Sequence, residues 1–300
     1  MWDYRQLHSI LPQNRLTLGE GNTALEQISL NGNDLYLKFE DANPNGSFKD
    51  RSLAYQLSYY VQNENKHFTI SSSGNAAISA AAYANLAKVK LCIFVSTNIT
   101  ELKLTRLEQH KSEFVEIRKV AKPKSSVIQY ARESNAINLR GSVDDVALIG
   151  FKTIAYEIAE QLPDADAVFV PCSSATSSVA IAQGFAETNR NVALHVVQTT
   201  RICPIVSNFD QVTLTKTSLA DAIVDRVAKR KKQVLIEIEK SNGFGWIITD
   251  QELLTAEKLI EDTLPNKKIS YNSLLAVAAY LKAIKSGYSY VKPVAIISGL

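Results

Sequence analysis

Over residues 34–40 the chain reads Asp-Leu-Tyr-Leu-Lys-Phe-Glu, polar and apolar in turn, which is the pattern of a half-buried strand. Residues 16–40 as a whole read as short strands around Gly21 and Gly32. From residue 52 the period changes. Leu53, Ala54, Leu57, Tyr60 and Val61 recur at helical spacing and predict a helix to about Asn63. Then follow a strand over 68–71, a helix over 76–87, a strand over 90–95, a helix over 102–110, a strand over 114–118 and a helix over 125–134. The alternation resumes with a helix over 151–161, a strand over 167–171, a helix over 175–187 and a strand over 192–197. A strand is expected after Gln233, then helices over 250–262 and 274–284 and a last strand over 294–297. Such alternation requires a parallel sheet with helices on its faces, so the fold class is α/β. No internal repeat or low-complexity linker interrupts it.

Composition narrows the function classes. Three hundred residues, 46% hydrophobic and 21% charged, describe a globular chain long enough for one large or two smaller domains. The net charge of +3 comes from 33 basic and 30 acidic residues, and the densest basic run, 226–232, has no interleaved aromatics. It reads as a solvated face, and no nucleic-acid partner is expected. Cys92, Cys172 and Cys203 are too widely spaced for a disulfide framework or a zinc site, which points to a reducing compartment. His8, His67, His110 and His195 are scattered and read as structural or surface residues. No apolar run approaches the roughly 18 residues of a membrane helix. The start, Met1-Trp2-Asp3-Tyr4, lacks the features of a signal peptide. No membrane partner and a cytoplasmic location are the expectation.

Three stretches carry candidate chemistry. In Asn43-Pro44-Asn45-Gly46-Ser47-Phe48-Lys49-Asp50-Arg51 a turn-forming run ends at Ser47, a good helix cap, and places Lys49 in the first turn of a helix. The positive end of the helix dipole disfavours a cation there, and a lysine so placed can have a lowered pKa. An unprotonated amine is what Schiff-base chemistry with an aldehyde needs. The same residues also admit an exposed lysine beside Asp50. The second stretch, Ser71-Ser72-Ser73-Gly74-Asn75, lies at a strand-to-helix junction, where hydroxyls and amides make a nest for a carboxylate or simply cap the helix. The third, Pro171-Cys172-Ser173-Ser174-Ala175-Thr176-Ser177-Ser178, is a second junction of the same kind. It is serine-rich and holds no glycine, so it reads either as an anion-binding loop or as an ordinary cap.

The run around Lys49 resembles that of the fold-type II pyridoxal-phosphate enzymes, the tryptophan synthase β-like superfamily, and within them the threonine synthases. That family writes Asn-Pro-Thr-Gly-Ser-Phe-Lys-Asp-Arg-Gly, and this chain departs from it at Asn45 and Ser52. Glu20-Gly21-Asn22-Thr23, Ser72-Ser73-Gly74-Asn75, Gly150-Phe151-Lys152-Thr153 and Ile297-Ser298-Gly299 extend the resemblance over most of the chain. It implies two doubly wound parallel-sheet domains with the cofactor site between them, a large one of residues 1–45 and 141–300 and a small one of 46–140. It implies pyridoxal 5'-phosphate as cofactor and Lys49 as its catalytic lysine with Phe48 beside it. Asn75 would touch the ring hydroxyl, and Ser173, Ser174, Ala175, Thr176 and Ser177 would stand at the phosphate. Ser298 would face the pyridine nitrogen. Ser72, Ser73, Gly74, Asn75 and Ala76 would hold the carboxylate of a small amino-acid substrate. A homodimer is common among such enzymes. Because Ser298 stands two residues from the end, no C-terminal regulatory domain of the kind some dehydratases carry is expected.

Three departures bear on the reaction. The glycine-rich phosphate loop has become serine-rich. Where threonine synthases carry an Asn-Ser pair and then an arginine that grip the phosphate of O-phosphohomoserine, this chain reads Gly141-Ser142 and Ala147, leaving Arg140 or Lys152 as the nearest cations in sequence. Where they carry Glu-Pro-x-Ser, it reads Ser270-Tyr271-Asn272-Ser273. The expected function is therefore a threonine synthase-like lyase. A serine/threonine dehydratase, and a non-catalytic binding protein of the same fold, are the alternatives.

Overall fold

A computed structural model describes residues 1–300. In chain order a hairpin of β1 (Leu25–Leu30) and β2 (Asn33–Phe39) precedes α1 (Lys49–Gln62), β3 (His67–Ser71), α2 (Asn75–Ala87) and β4 (Lys90–Ser96). Then come α3 (Glu101–Glu108), β5 (Val115–Val120), α4 (Pro123–Ser134), β6 (Ile137–Asn138) and α5 (Val146–Gln161). The chain continues through β7 (Ala167–Pro171), α6 (Thr176–Glu187), β8 (Ala193–Thr199), α7 (Lys231–Lys240) and β9 (Phe244–Ile248). It ends with α8 (Asp250–Thr263), α9 (Tyr271–Lys285) and β10 (Pro293–Ile297). No helix is long and apolar enough to cross a membrane.

The chain divides into two compact units. The first comprises residues 1–21 and 43–151, the second 22–42 and 152–300. These boundaries differ from those expected from sequence. Residues 1–21 and 141–151 group with the smaller sheet, because the N-terminal segment is bound to α1 and the start of α5 packs on that helix. Leu16 N donates to Ser58 Oγ at 2.8 Å, and Ser9 Oγ and Tyr55 Oη are 2.9 Å apart.

In the first unit the sheet runs β5-β4-β3-β6, all parallel. Phe68, Ile70, Leu91 and Ile93 fill its interior, and Ala77, Ala80, Ala81 and Ala84 of α2 are buried. In the second unit the order is β1-β2-β10-β7-β8-β9, antiparallel only at β1–β2. Leu35, Leu37 and Phe39 point alternately into its core, as their spacing predicts. From Ser273 to Tyr280 every residue of α9 is buried, so that helix is central rather than amphipathic. The strand expected after Gln233 begins only at Phe244, with α7 intervening. In the run Val234-Leu235-Ile236-Glu237-Ile238 only Val234 and Ile238, one helical turn apart, are buried.

Two buried polar sites secure the second unit. Lys38, fully buried on β2, donates to Glu157 Oε2 (2.9 Å), Gln161 Oε1 (2.8 Å) and the Thr23 carbonyl (2.7 Å). Glu157 in turn accepts from the amides of Asn22 (2.7 Å) and Thr23 (3.3 Å). An ion pair this deep tolerates burial because nearly every donor and acceptor has a partner. The second site is His195, stacked on Phe169 with ring centroids 4.5 Å apart. Its Nδ1 accepts from Trp246 Nε1 (3.1 Å), which leaves the proton on Nε2, 3.1 Å from Tyr290 Oη.

Burial pushes the His195 pKa down from 6.5 to about 3. Below the unfolded value the unfolded chain binds a proton that the folded chain excludes. The stability due to the neutral ring is therefore present above about pH 6.5 and lost progressively as the pH falls toward 3. Urea unfolding followed by tryptophan fluorescence should show this slope. The variant His195→Phe, although destabilised at neutral pH by the loss of two hydrogen bonds, should show a flatter profile below pH 6.5. An equally steep profile in the variant would remove His195 as the cause.

Candidate active site

In the first unit the Lys49 turn is held by a buried carboxylate. Asp50 accepts from the Asn45 amide (2.7 Å), from Asn45 Nδ2 (2.9 Å) and from Ser79 Oγ (2.6 Å). Burial pushes its carboxyl above the usual range, opposed by those hydrogen bonds and reinforced by the charge of Glu20. Asn45, a departure from the family run, thus acts as a two-point donor to Asp50. Gly46 N closes the turn on the Asn43 carbonyl (2.8 Å), and Asn43 Oδ1 accepts from Gly21 N (2.9 Å). Ser47 does not cap α1 in the expected way. The residue flanking the helix is Phe48, and Ser47 Oγ accepts from Lys49 N at 3.3 Å.

Lys49 is the first residue of α1, as its sequence context predicts. Its Nζ lies 4.4 Å from the centroid of the Phe48 ring and 5.0 Å from that of Phe151. The two rings meet edge to face with centroids 5.2 Å apart. Phe151 therefore belongs with the site residues, a role the motif Gly150-Phe151 did not reveal by itself. What brings it there is Gly150. A Cβ on that residue would stand 2.1 Å from the Arg51 carbonyl oxygen, so only glycine lets α5 approach α1 this closely. Ser52, where the family writes glycine, donates from Oγ to the Ala147 carbonyl at 3.0 Å.

Ser72, Ser73, Gly74, Asn75 and Ala76 are half-buried at the junction of β3 and α2. Ser72 Oγ accepts from Gly74 N at 3.3 Å. Gly74 has φ −127° and open space where a Cβ would be, so its conformational freedom is not used. Ser72 and Ser73 also line a cavity of about 420 Å³ beside the carboxyl ends of β3 and β4.

In the second unit β7 and β10 are neighbours, so the loop after Pro171 and the residues after Ile297 share the carboxyl edge of one sheet. This is where open parallel sheets take ligands. Ser173 Oγ accepts from the amides of Val224 (3.1 Å) and Asp225 (3.2 Å), which leaves its proton to donate. Ser174 Oγ and Thr176 Oγ1 are 3.1 Å apart, and Thr176 and Ser177 are buried in the first turn of α6. Ala175 adopts φ 70°, ψ 2°, the left-handed conformation for which a glycine would be expected. Ser178 Oγ is buried without a hydrogen-bond partner. Hydroxyls and the amides that open α6 fit an anionic group, so these residues are able to hold a phosphate.

Ser298 is nearly buried, its Oγ 3.4 Å from Ser273 Oγ. Ser273 also donates to the Gly299 carbonyl (2.9 Å) and accepts from Gly299 N (3.2 Å), and Ser270 donates to the same carbonyl (2.5 Å). Asn272 binds the Ala222 amide (2.9 Å) and Asp221 Oδ1 (3.2 Å). The stretch Ser270-Tyr271-Asn272-Ser273, singled out from sequence only as a departure, thus ties down both the segment after β10 and the segment near residue 222. Of the cations considered in place of an arginine at Ala147, Lys152 is paired with Glu187 at 2.5 Å. Ala147 itself is fully buried, so an arginine could not stand there without displacing its neighbours.

A family model described as "Pyridoxal-phosphate dependent enzyme" matches residues 16–292. The chain is 30% identical over 256 residues to a threonine synthase of Halalkalibacterium halodurans, covering 82% of this chain and 72% of that protein. Its fold is similar to that of a pyridoxal 5'-phosphate-dependent aspartate racemase. The TM-score is 0.82 at 18% identity, over 98% of this chain and 94% of the other. It is also similar to threonine deaminase isoform 2 of Solanum lycopersicum, with a TM-score of 0.77 at 20% identity over 98% of this chain and 87% of the other.

The strain at Ala175 is testable. The left-handed region costs a non-glycine residue about 1–2 kcal/mol, of which the greater unfolded-state freedom of glycine offsets up to about 1 kcal/mol. Ala175→Gly should hold or raise the melting temperature, whereas Ala175→Val should lower it by several degrees. A clear loss of stability in Ala175→Gly would show that the backbone there is not strained.

Proposed function

Because this chain belongs to the pyridoxal-phosphate dependent enzyme family, we propose that it is a lyase acting on a small amino acid in the manner of a threonine synthase, converting O-phosphohomoserine and water to threonine and phosphate. The observation that carries the reading is the Lys49 amine, set at the first residue of α1 against the faces of Phe48 and Phe151 and fixed from behind by Asp50. The likeness to a threonine synthase supports the choice of reaction.

In this reading Lys49 would hold the cofactor's aldehyde carbon, with Phe48 beside it, and Ser173, Ser174, Ala175, Thr176 and Ser177 would hold its phosphate. Asn75 would serve the ring hydroxyl and Ser298 the ring nitrogen. When bound, pyridoxal 5'-phosphate supplies an electron sink for a carbon attached to the substrate's amino nitrogen, moderated where its ring nitrogen meets a neutral hydroxyl. The protein's own work is positional. Ser72, Ser73, Gly74, Asn75 and Ala76 bind the substrate carboxylate. Lys49 Nζ takes and returns protons on the substrate's carbons, and the apolar faces of Phe48 and Phe151 limit water at that atom.

Ala147 favours a second reaction of the same family. Without an arginine at that position, and with Lys152 committed to Glu187, a serine/threonine dehydratase would need no phosphate grip at all. The left-handed Ala175 meanwhile supports a working phosphate loop despite the missing glycine, which counts against a silent binding protein.

Two measurements test this. Lys49→Ala should leave the purified holoprotein without a borohydride-reducible visible chromophore and without turnover; a chromophore retained on another lysine would refute the assignment. Single-substrate assays on O-phosphohomoserine, threonine and serine should give threonine and phosphate from the first. Release of a 2-oxo acid and ammonia from threonine or serine, with O-phosphohomoserine inert, would establish the dehydratase instead.

A further inference from the structure

The cavity in the first unit lies at the carboxyl ends of β3 and β4, which end at Ser71 and Ser96, and the segment that opens α4 forms its other wall. Its polar lining is Ser71 at the end of β3, Ser72 and Ser73 of the candidate carboxylate loop, Ser96, Ser125 and two cations, Lys122 and Lys124. No acidic residue lines it. The wall that carries the lysines is fixed, because the Lys122 carbonyl accepts the amides of Ser125 (3.1 Å) and Ser126 (3.0 Å), and Thr97 N binds the Val120 carbonyl (3.1 Å). Both lysines are exposed, so their charges are solvated. A recess with two cations, three kinds of serine-bearing loop and no carboxylate has the chemistry of an anion receptor.

We propose that this cavity receives a second anionic group, carried on the substrate's side chain beyond its α-carboxylate, and that Lys122 and Lys124 supply the charge that Ala147 does not. The inference rests on the reading above, in which Ser72 and Ser73 hold the α-carboxylate. A phosphate ester and a carboxylate share the required charge, and a cavity of about 420 Å³ accommodates a short side chain ending in either. The substrate class is thus narrowed from small amino acids in general to those with an anionic terminus, among which O-phosphohomoserine falls and serine and threonine do not.

Binding of inorganic phosphate and of O-phosphohomoserine to the holoprotein can be followed by calorimetry in the wild type, in Lys122→Gln/Lys124→Gln and in the surface control Lys111→Gln. The double variant should bind both ligands about tenfold more weakly, the loss expected for charge-assisted contacts at a half-open site. The control should match the wild type. Salt at about 0.5 M should weaken the wild type and leave the double variant little changed. In turnover the KM for O-phosphohomoserine should rise about tenfold with kcat nearly kept. Any turnover of threonine or serine should be unaffected. Succinate displacing phosphate with equal affinity would identify a carboxylate-bearing substrate, and weak displacement a phosphate ester. Unchanged phosphate affinity in the double variant, or an equal rise in KM for uncharged substrates, would overturn the proposal. Failure of the lyase reading looks different: no amino acid is turned over, while phosphate affinity still depends on the two lysines.

Discussion

Helix α5 brings the Phe151 ring to the Lys49 amine only because residue 150 has no side chain. The space a Cβ would occupy is already filled by the Arg51 carbonyl, two residues past the lysine, and that backbone cannot swing aside as a flexible side chain could. Nearby, Ser52 Oγ bonds the Ala147 carbonyl and adds a polar stitch to the same crossing. The start of α1 is therefore determined by α5 as much as by its own turn. Any larger residue at 150 would move the helix that begins with Lys49, and the amine with it.

Asp50 secures the other side of that helix start. A carboxylate so deeply buried is costly unless its oxygens are occupied, and here they accept from Asn45 and Ser79. Glu20, a second buried carboxylate of the same unit, accepts from Trp2 Nε1 (2.9 Å), the Leu18 amide (2.9 Å) and Tyr83 Oη (2.6 Å). Burial and the nearness of Glu20 push the Tyr83 hydroxyl well above its ordinary pKa, so it stays a donor. The unit thus carries two buried acids, each held by neutral donors, and the charge of Glu20 adds to burial in raising the Asp50 carboxyl. This explains why the N-terminal segment and the Lys49 turn belong to one compact body although twenty or more residues separate them.

Most of the fold was legible in the sequence because apolar periodicity records burial directly. The strand expected at 167–171 is β7 residue for residue, and those expected at 90–95 and 294–297 fall within one residue of β4 and β10. Helix α7 was missed because Val, Leu and Ile crowd its middle and imitate a strand, while only two of its residues are buried. The unit boundaries were missed because they follow contacts such as Leu16 to Ser58, which no local pattern announces. At the candidate site the local devices were readable: a lysine at a helix start and serine-rich strand ends. The partners that fix them were not. Phe151 reaches Lys49 across about a hundred positions of chain, Ser273 reaches Gly299 across 26, and Lys122 and Lys124 share a cavity with Ser72 only through the adjacency of β3, β4 and β5.

The loop after β7 shows how a local rule can be broken without disturbing the junction it serves. Glycine is the usual way to reach a left-handed conformation at a helix start, and the sequence offers none; Ala175 reaches it regardless. A strained residue persists only where its surroundings over-determine it. Here they do: Ser173 is clamped by the Val224 and Asp225 amides on one side, and the Ala175 carbonyl accepts from Val179 N (3.0 Å) on the other. Three residues further on, Ser178 holds one of two buried side-chain oxygens in the chain without a partner. An orphaned hydroxyl costs about 1–3 kcal/mol, and left-handed alanine about 1–2 kcal/mol. Neither cost serves the folding of a simple helix cap, which an ordinary serine at Ncap would satisfy. Both fall at the first turn of α6, where the contacts around the loop hold them in place.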